Sequence, residues 1–221
     1  MIRVKSLTTW MLLVVTGMSL TSFVRGAAPT VDEVLEAWSK KTDVSTIDAR
    51  LMCRELDPLG KWKTEQPTED RFRYDRASGQ GRLDRLANPA ITYLIEGRVI
   101  TIRSQGKEEQ AKGLGVNDAL PTHLWMDSFP AFFLVGVDPA TLRRDFEIRS
   151  LQPTDREIQL YFYPQKRSHR DRFQRLEVRL SSSEMIAVEI HVVWKDNSHT
   201  FWAVLEPKTD VALHPEEWKT R

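Results

Sequence analysis

The chain has 221 residues, enough for one domain with a sizeable core, and its 41% hydrophobic and 29% charged content excludes long disorder. Its 32 basic and 31 acidic residues give a formal charge of +1, which argues against a nucleic-acid partner. The single cysteine, Cys53, excludes an intramolecular disulfide, and we expect it to face the core as a small apolar side chain.

Residues 1–26 have the composition of a secretory signal peptide. Two basic residues precede an apolar run at residues 10–20, and Val24 and Gly26 suit the −3 and −1 positions of a cleavage site. The run is short for a membrane-spanning helix, which needs about 20 residues. We therefore predict an exported protein of the periplasm or cell envelope with one domain over residues 27–221. An uncleaved N-terminal anchor is the alternative.

The predicted domain begins with a helix and a strand. Thr30 and Glu33 form a capping box, and apolar residues at helical spacing predict a helix that ends near Lys41. A turn is predicted at residues 57–60, where proline and glycine occur together. Between them, residues 46–55 predict a strand whose apolar side chains alternate with polar ones; these are Ile47, Ala49, Leu51 and Cys53.

Less regular strands are predicted at residues 71–74, 91–95 and 99–103, with a tight turn at Glu96-Gly97 before the last of them. Residues 104–117 contain three glycines and little apolar content, which predicts an exposed loop.

Between residues 121 and 142 the apolar residues form a dense block and no longer alternate with polar ones as in a strand. Pro130 suits a helix first turn, and Asp138 with Pro139 predicts a second short helix that runs through Leu142. We expect these two helices to cover the apolar face of a sheet.

The remaining chain predicts a strand at residues 146–151 and then three or four successive antiparallel strands over residues 157–205. Polar residues such as Glu177, Glu189 and His191 occupy one face of these strands. The apolar residues of the other face are Ile158, Leu160, Phe162, Leu176, Val178, Leu180, Ile186, Val188, Ile190, Val192 and Trp194.

Several local patterns occur in the order helix, hairpins, helical insert and long meander. They are Thr46-Ile47-Asp48-Ala49-Arg50, Phe72-Arg73-Tyr74, Tyr93 to Ile100 and Leu160-Tyr161-Phe162-Tyr163-Pro164. In this order the chain resembles the periplasmic carriers of the outer-membrane lipoprotein-sorting system, and it is similar to an uncharacterised secreted domain family of planctomycete-type bacteria. The resemblance implies an α+β fold: an incomplete antiparallel β-barrel with an N-terminal helix and short inserted helices over its concave face, which in the carriers accepts acyl chains.

Motifs of catalysis or metal binding are not apparent in the sequence. The five histidines lack metal-ligand spacing, no Gly-x-Ser-x-Gly is present, and Gly113-Leu114-Gly115 does not continue as a phosphate loop. We predict no enzyme, metal or cofactor, and we expect surface histidines, although His191 and His199 could approach across a hairpin. The basic run at residues 166–172 predicts a solvated loop, or alternatively a contact for an anionic surface.

We predict a non-catalytic binding protein, expected to be a monomer, whose partner is a lipid or a lipidated protein held on the apolar face of the sheet. The alternative is a structural or regulatory envelope domain with a self-filled core and an envelope protein as partner. The predicted ligand-binding residues are Ile158, Leu160, Phe162, Leu176, Val178, Val188, Ile190, Trp194, Trp38 and Phe133.

Overall fold

The computed structural model describes residues 28–86, 90–96, 99–112, 133–150, 153–214 and 218. The predicted signal peptide and the predicted helix after Pro130 lie outside the described residues. The elements are α1 (Val31–Thr42), β1 (Thr46–Leu56), β2 (Thr68–Asp75), β3 (Gln80–Arg85), β4 (Ile91–Glu96), β5 (Val99–Ser104), β6 (Lys107–Lys112), α2 (Pro139–Asp145), β7 (Phe146–Ser150), β8 (Glu157–Pro164), α3 (Arg167–Arg170), β9 (Phe173–Ser181), β10 (Ala187–Trp194) and β11 (His199–Thr209).

All eleven strands belong to one antiparallel sheet, with the order β6-β5-β4-β3-β2-β1-β11-β10-β9-β8-β7. Two meanders meet where β1 pairs with β11, and β6 and β7 form the two outer edges. The sheet is therefore open, and the predicted α+β incomplete barrel is confirmed. None of the helices in the described ranges is both long and apolar enough to cross a bilayer.

Helix α1 covers one face of this sheet, which we call the inner face. The predicted capping box is present: the Glu33 N–H donates to Thr30 Oγ1 at 3.3 Å, and the Thr30 N–H donates to the Glu33 carboxylate at 2.8 Å. At the other end of the helix, the Val137 N–H donates to Thr42 Oγ1 at 3.1 Å. This bond ties the helix to the segment that leads into α2.

The alternation predicted for β1 is confirmed, since Ile47, Ala49, Leu51 and Cys53 are at most 2% exposed. The predicted turn after β1 also forms, because Asp57 Oδ1 accepts hydrogen bonds from the Leu59 and Lys61 N–H groups. Gly60 has a φ of +76°, a conformation that glycine adopts without strain.

Two strands were missed or misassigned from the sequence. The exposed-loop prediction for residues 104–117 is wrong over β6, which pairs with β5 across a turn at Gln105-Gly106 where both φ angles are positive. A polar edge strand lacks the apolar alternation that would reveal it. Strand β3 was not predicted, because Leu83 is the single apolar side chain in its sequence, Gln-Gly-Arg-Leu-Asp-Arg.

The strict alternation predicted for β10 fails at both ends of the strand. Register shifts occur at Ala187/Glu189 and at Val193/Trp194. As a result, Ala187 and Val193 are buried, while Val188 and Trp194 are only half-buried. Between the shifts the prediction holds, with Ile190 at 1% exposure.

The first register shift can be tested by a paired truncation. We expect Ile190→Ala to lower the free energy of unfolding by about 2–5 kcal/mol, because it leaves a cavity in the core. Val188→Ala should cost less than about 1.5 kcal/mol, because that side chain is only partly buried. Urea denaturation measures both; equal losses would place Val188 in the core and contradict the bulge.

Candidate functional site

The structure brings together nine of the ten predicted ligand-binding residues. Eight are buried at 5% exposure or less, and Trp194 packs against them half-buried; the buried ones are Trp38, Phe133, Ile158, Leu160, Phe162, Leu176, Val178 and Ile190. Val188 is the exception, because the register shift moves it out of this core. Their contact with a ligand stays a prediction.

The protein's own aromatic side chains fill the inner face of β8 and β9. Trp38 of α1 stacks on Phe133 with 5.8 Å between ring centroids and lies 6.4 Å from Phe162. Phe162 also makes an edge contact with Phe146 at 5.8 Å. Leu160, Phe162 and Val178 have no exposed surface, so this half of the inner face is a packed core.

The inner face of β2–β5 is packed less completely. The strand register places one row of apolar side chains on it: Phe72, Tyr74, Leu83, Ile91, Tyr93 and Ile102. Phe72, Leu83 and Tyr93 are buried at 8% exposure or less, but the other three residues of the row are only half-buried, in contrast to the buried inner residues of β8 and β9. Apolar area is therefore still accessible on this half.

Sequence reasoning missed these residues as a candidate ligand surface. The Phe72/Tyr74 alternation was visible, but Leu83 lies in the unpredicted β3. Only the pairing of β3 between β2 and β4 shows that the row is continuous.

A polar cluster interrupts this inner face at the start of β2 and the end of β3. The carboxylate of Asp70 lies 3.4 Å from Arg85 Nε, and Arg85 also reaches Glu55 at 3.4 Å and Cys53 Sγ at 3.5 Å. Asp70 has 0% exposure. The nearby Leu86 N–H donates to the Glu69 carbonyl oxygen at 3.3 Å.

Burial controls the protonation of this cluster. It raises the pKa of Asp70 to about 6, a rise that Arg85 and the Leu86 N–H only partly oppose. Burial likewise raises the pKa of the Cys53 thiol to about 12, so the thiol is protonated at neutral pH. The inward orientation predicted for Cys53 is confirmed.

On the opposite, outer face, His191 and His199 do meet across the β10–β11 hairpin. His191 Nε2 lies 2.9 Å from His199 Nδ1, and the His191 ring stacks on Phe201 at 4.1 Å. His191 Nδ1 lies 3.3 Å from Glu177. Burial alone would raise the pKa of Glu177, but the bonds from His191 and Arg175 outweigh it and lower that pKa to about 2.

A surface groove of about 350 Å³ lies beside these rings. Trp62 forms one wall, with the Arg54 guanidinium 3.7 Å from its ring centroid and Phe201 at 5.8 Å. The residues that line the groove are Met52, Arg54, Trp62, Pro67, Glu189, Phe201 and Ala203. Within the described ranges, no group of three or more His, Cys, Asp or Glu residues is placed to hold a metal ion.

The expectation of surface histidines is wrong for His169, and the basic run is not wholly a solvated loop. Residues 167–170 form the short helix α3, which places His169 at 1% exposure between Phe146 and Phe173. Neither ring nitrogen has a hydrogen-bond partner within the described part of the chain. Burial lowers the pKa of His169; Asp145 opposes this shift, and Lys166 and Arg172 add smaller contributions that lower the pKa further.

Comparison with protein-family models gave no match, and neither did comparison with curated proteins. Among solved structures, the chain is similar to MucB at 11% identity and a TM-score of 0.48, over 86% of this chain and 62% of the MucB chain. It is also similar to a LolA superfamily protein from Nitrosomonas europaea (9% identity, TM-score 0.43, 87% of this chain and 99% of that one). A third similar structure is the lipoprotein LppX of Mycobacterium tuberculosis (8% identity, TM-score 0.44, 84% and 100%).

The buried His169 predicts a pH dependence of stability. Its lowered pKa means that the unfolded chain takes up a proton more readily than the folded one, so folding loses free energy as the pH falls below about 6.5. His169→Leu removes this loss, worth about 1.4 kcal/mol for each unit by which the folded pKa is lowered. Urea denaturation at pH 8 and pH 5 measures the free energy of unfolding. The difference between the variant and the parent protein should shift in favour of the variant at pH 5.

Phe162→Leu provides the matched control, because Phe162 is another buried aromatic ring and has no titratable group. It should change the stability equally at both pH values. A pH-independent difference between His169→Leu and the parent protein would contradict the buried neutral histidine.

Proposed function

We propose that this chain is a non-catalytic binding protein that holds a lipid or a lipidated chain against the inner face of β2–β5. The observation that carries the proposal is the difference between the two halves of the inner face. The β8–β9 half is fully buried, whereas Tyr74, Ile91 and Ile102 keep accessible apolar area. A ligand on β2–β5 can therefore bind without displacing the packed rings of Trp38, Phe133 and Phe162.

The energetics favour an acyl chain as the apolar part of the ligand. Each buried methylene contributes about 0.8 kcal/mol, so about ten of them supply on the order of 8 kcal/mol before the entropic costs of association. To gain this free energy of burial, the inner face of β2–β5 needs only an apolar surface that fits the shape of the chain. The residues predicted from the sequence on β8–β10 then form the rigid half of the fold that supports the ligand-binding half.

The proposal includes export to the periplasm or cell envelope, with residues 1–26 as the signal peptide. A carrier or holder of lipid is useful there, because acyl chains must cross an aqueous space between membranes. N-terminal sequencing of the protein recovered from the envelope fraction should begin after Gly26.

Ligand binding is tested with the purified secreted protein by lipid extraction and mass spectrometry and by displacement of a neutral fluorescent probe with dodecyl-chain amphiphiles. Ile102→Asp should weaken probe binding at least tenfold, because it places a charge on the inner face of β5. Leu94→Asp is the matched control, since Leu94 is also half-buried but lies on the outer face of the neighbouring strand.

Equal losses in the two variants would move the binding surface away from the inner face of β2–β5. No extracted lipid and no displacement would instead favour the alternative function, an envelope interaction domain. The observation that supports this alternative is the filled core around Trp38 and Phe133.

A further inference from the structure

We propose that Asp70 and Arg85 form the polar end of the lipid site, and that its ligand carries a neutral head group whose hydroxyl donates to Asp70 and accepts from Arg85. This inference rests on the proposed function and specifies its ligand class: hydroxyl-bearing amphiphiles such as monoacylglycerols, as opposed to free fatty acids or simple esters.

Asp70 pairs with Leu51 of β1 and Arg85 of β3, so its side chain lies on the same inner face as Leu51 and Phe72. A carboxylate in such a row of apolar side chains is costly unless it is fully hydrogen-bonded. Its side chain is 1% exposed.

The protein meets this cost only in part, through Arg85 and the Leu86 N–H. Within the described chain, neither carboxylate oxygen of Asp70 accepts a hydrogen bond of good geometry, and Arg85 Nε donates none. The two groups face each other at 3.4 Å, too far for a strong charge-assisted hydrogen bond. Buried polar groups in folded proteins are nearly always satisfied, so an acceptor and a donor left open side by side indicate a missing partner.

A hydroxyl group has the hydrogen-bonding chemistry of that missing partner. A hydroxyl has one donor and two acceptor lone pairs, so a single group can satisfy Asp70 and Arg85 Nε together. A fatty-acid carboxylate could accept from Arg85 but would face the negative charges of Asp70 and Glu55. A simple ester has no donor for Asp70. The pair therefore selects the hydroxyl head group.

The position of the pair also fits an amphiphile. Asp70 lies two residues from Phe72, and Arg85 lies two residues from Leu83, so both are continuous with the apolar row of β2–β5. Ile91 pairs directly with Arg85, and Ile102 lies on the next strand, so a ligand whose acyl chain lies along Ile91 and Ile102 would have its head group at Asp70 and Arg85.

The test compares two ligands of equal chain length and the same ester linkage, monolauroylglycerol and methyl laurate, with laurate as the anionic arm. Displacement of the neutral probe should show monolauroylglycerol binding the parent protein at least tenfold more tightly than either of the others. Asp70→Asn, which keeps an acceptor oxygen, should retain a preference for monolauroylglycerol over methyl laurate.

The decisive variant is the double substitution Asp70→Leu with Arg85→Leu, which removes the buried pair without leaving a lone charge and is expected to fold. In this variant the ratio of the affinity for monolauroylglycerol to that for methyl laurate should fall to about one. Methyl laurate should bind as tightly as to the parent protein, or more tightly. Glu69→Leu is the control; Glu69 pairs with Arg50 on the outer face, and this variant should keep the preference of the parent protein.

A preference that survives the double substitution, or equal binding of all three ligands to the parent protein, would overturn the role of the pair while leaving lipid binding intact. Failure of all three ligands to displace the probe from the parent protein would overturn the proposed function itself. The two failures are therefore distinguishable.

Discussion

The pairing of β1 with β11 is the contact on which the rest of the structure depends. It joins segments about 150 residues apart and sets Leu51 opposite Val204 and Cys53 opposite Trp202. Such long-range pairing has a larger entropic cost of chain closure than a local hairpin has. Without it the chain would hold two separate meanders; with it, their inner faces form one surface and β6 and β7 remain as outer edges.

The two halves of this one surface differ in what covers them. The chain supplies α1 and the segment around Phe133 to the β7–β9 side, where Trp38 and Phe162 close the core. On the other side, partly exposed apolar side chains lie beside a buried acid and arginine with open hydrogen-bonding groups. One half is thus built for stability, and the other keeps both the apolar area and the polar groups that a ligand can use.

Local patterns made much of the fold predictable. Thr30 and Glu33 fixed the start of α1, and the alternation through Cys53 and Val178 placed two strands with the correct inner face. The edge strand β6 and the short β3 escaped because they hold few apolar residues. The exit of Val188 from the core depends on a register shift that only the neighbouring strand β9 defines.

The candidate site was harder to predict for the same reason. Asp70 and Arg85 are ordinary charged residues in the sequence, and only cross-strand register brings them together on an apolar face. His169 was likewise read as part of a solvated basic run, although one helical turn places it between two phenylalanine rings. In each case tertiary pairing, and not local composition, decided which side chain was buried.

The central claim is that the ligand lies on β2–β5 and not on β8–β10. It is tested most directly by photo-crosslinking with a monoacylglycerol that carries a diazirine in its acyl chain, followed by peptide mapping. We expect crosslinks on Tyr74, Ile91 or Ile102, the apolar residues of β2–β5 that stay accessible. Crosslinks confined to β8–β10, on Leu160 or Val178, or to the outer face near Trp62 would contradict it.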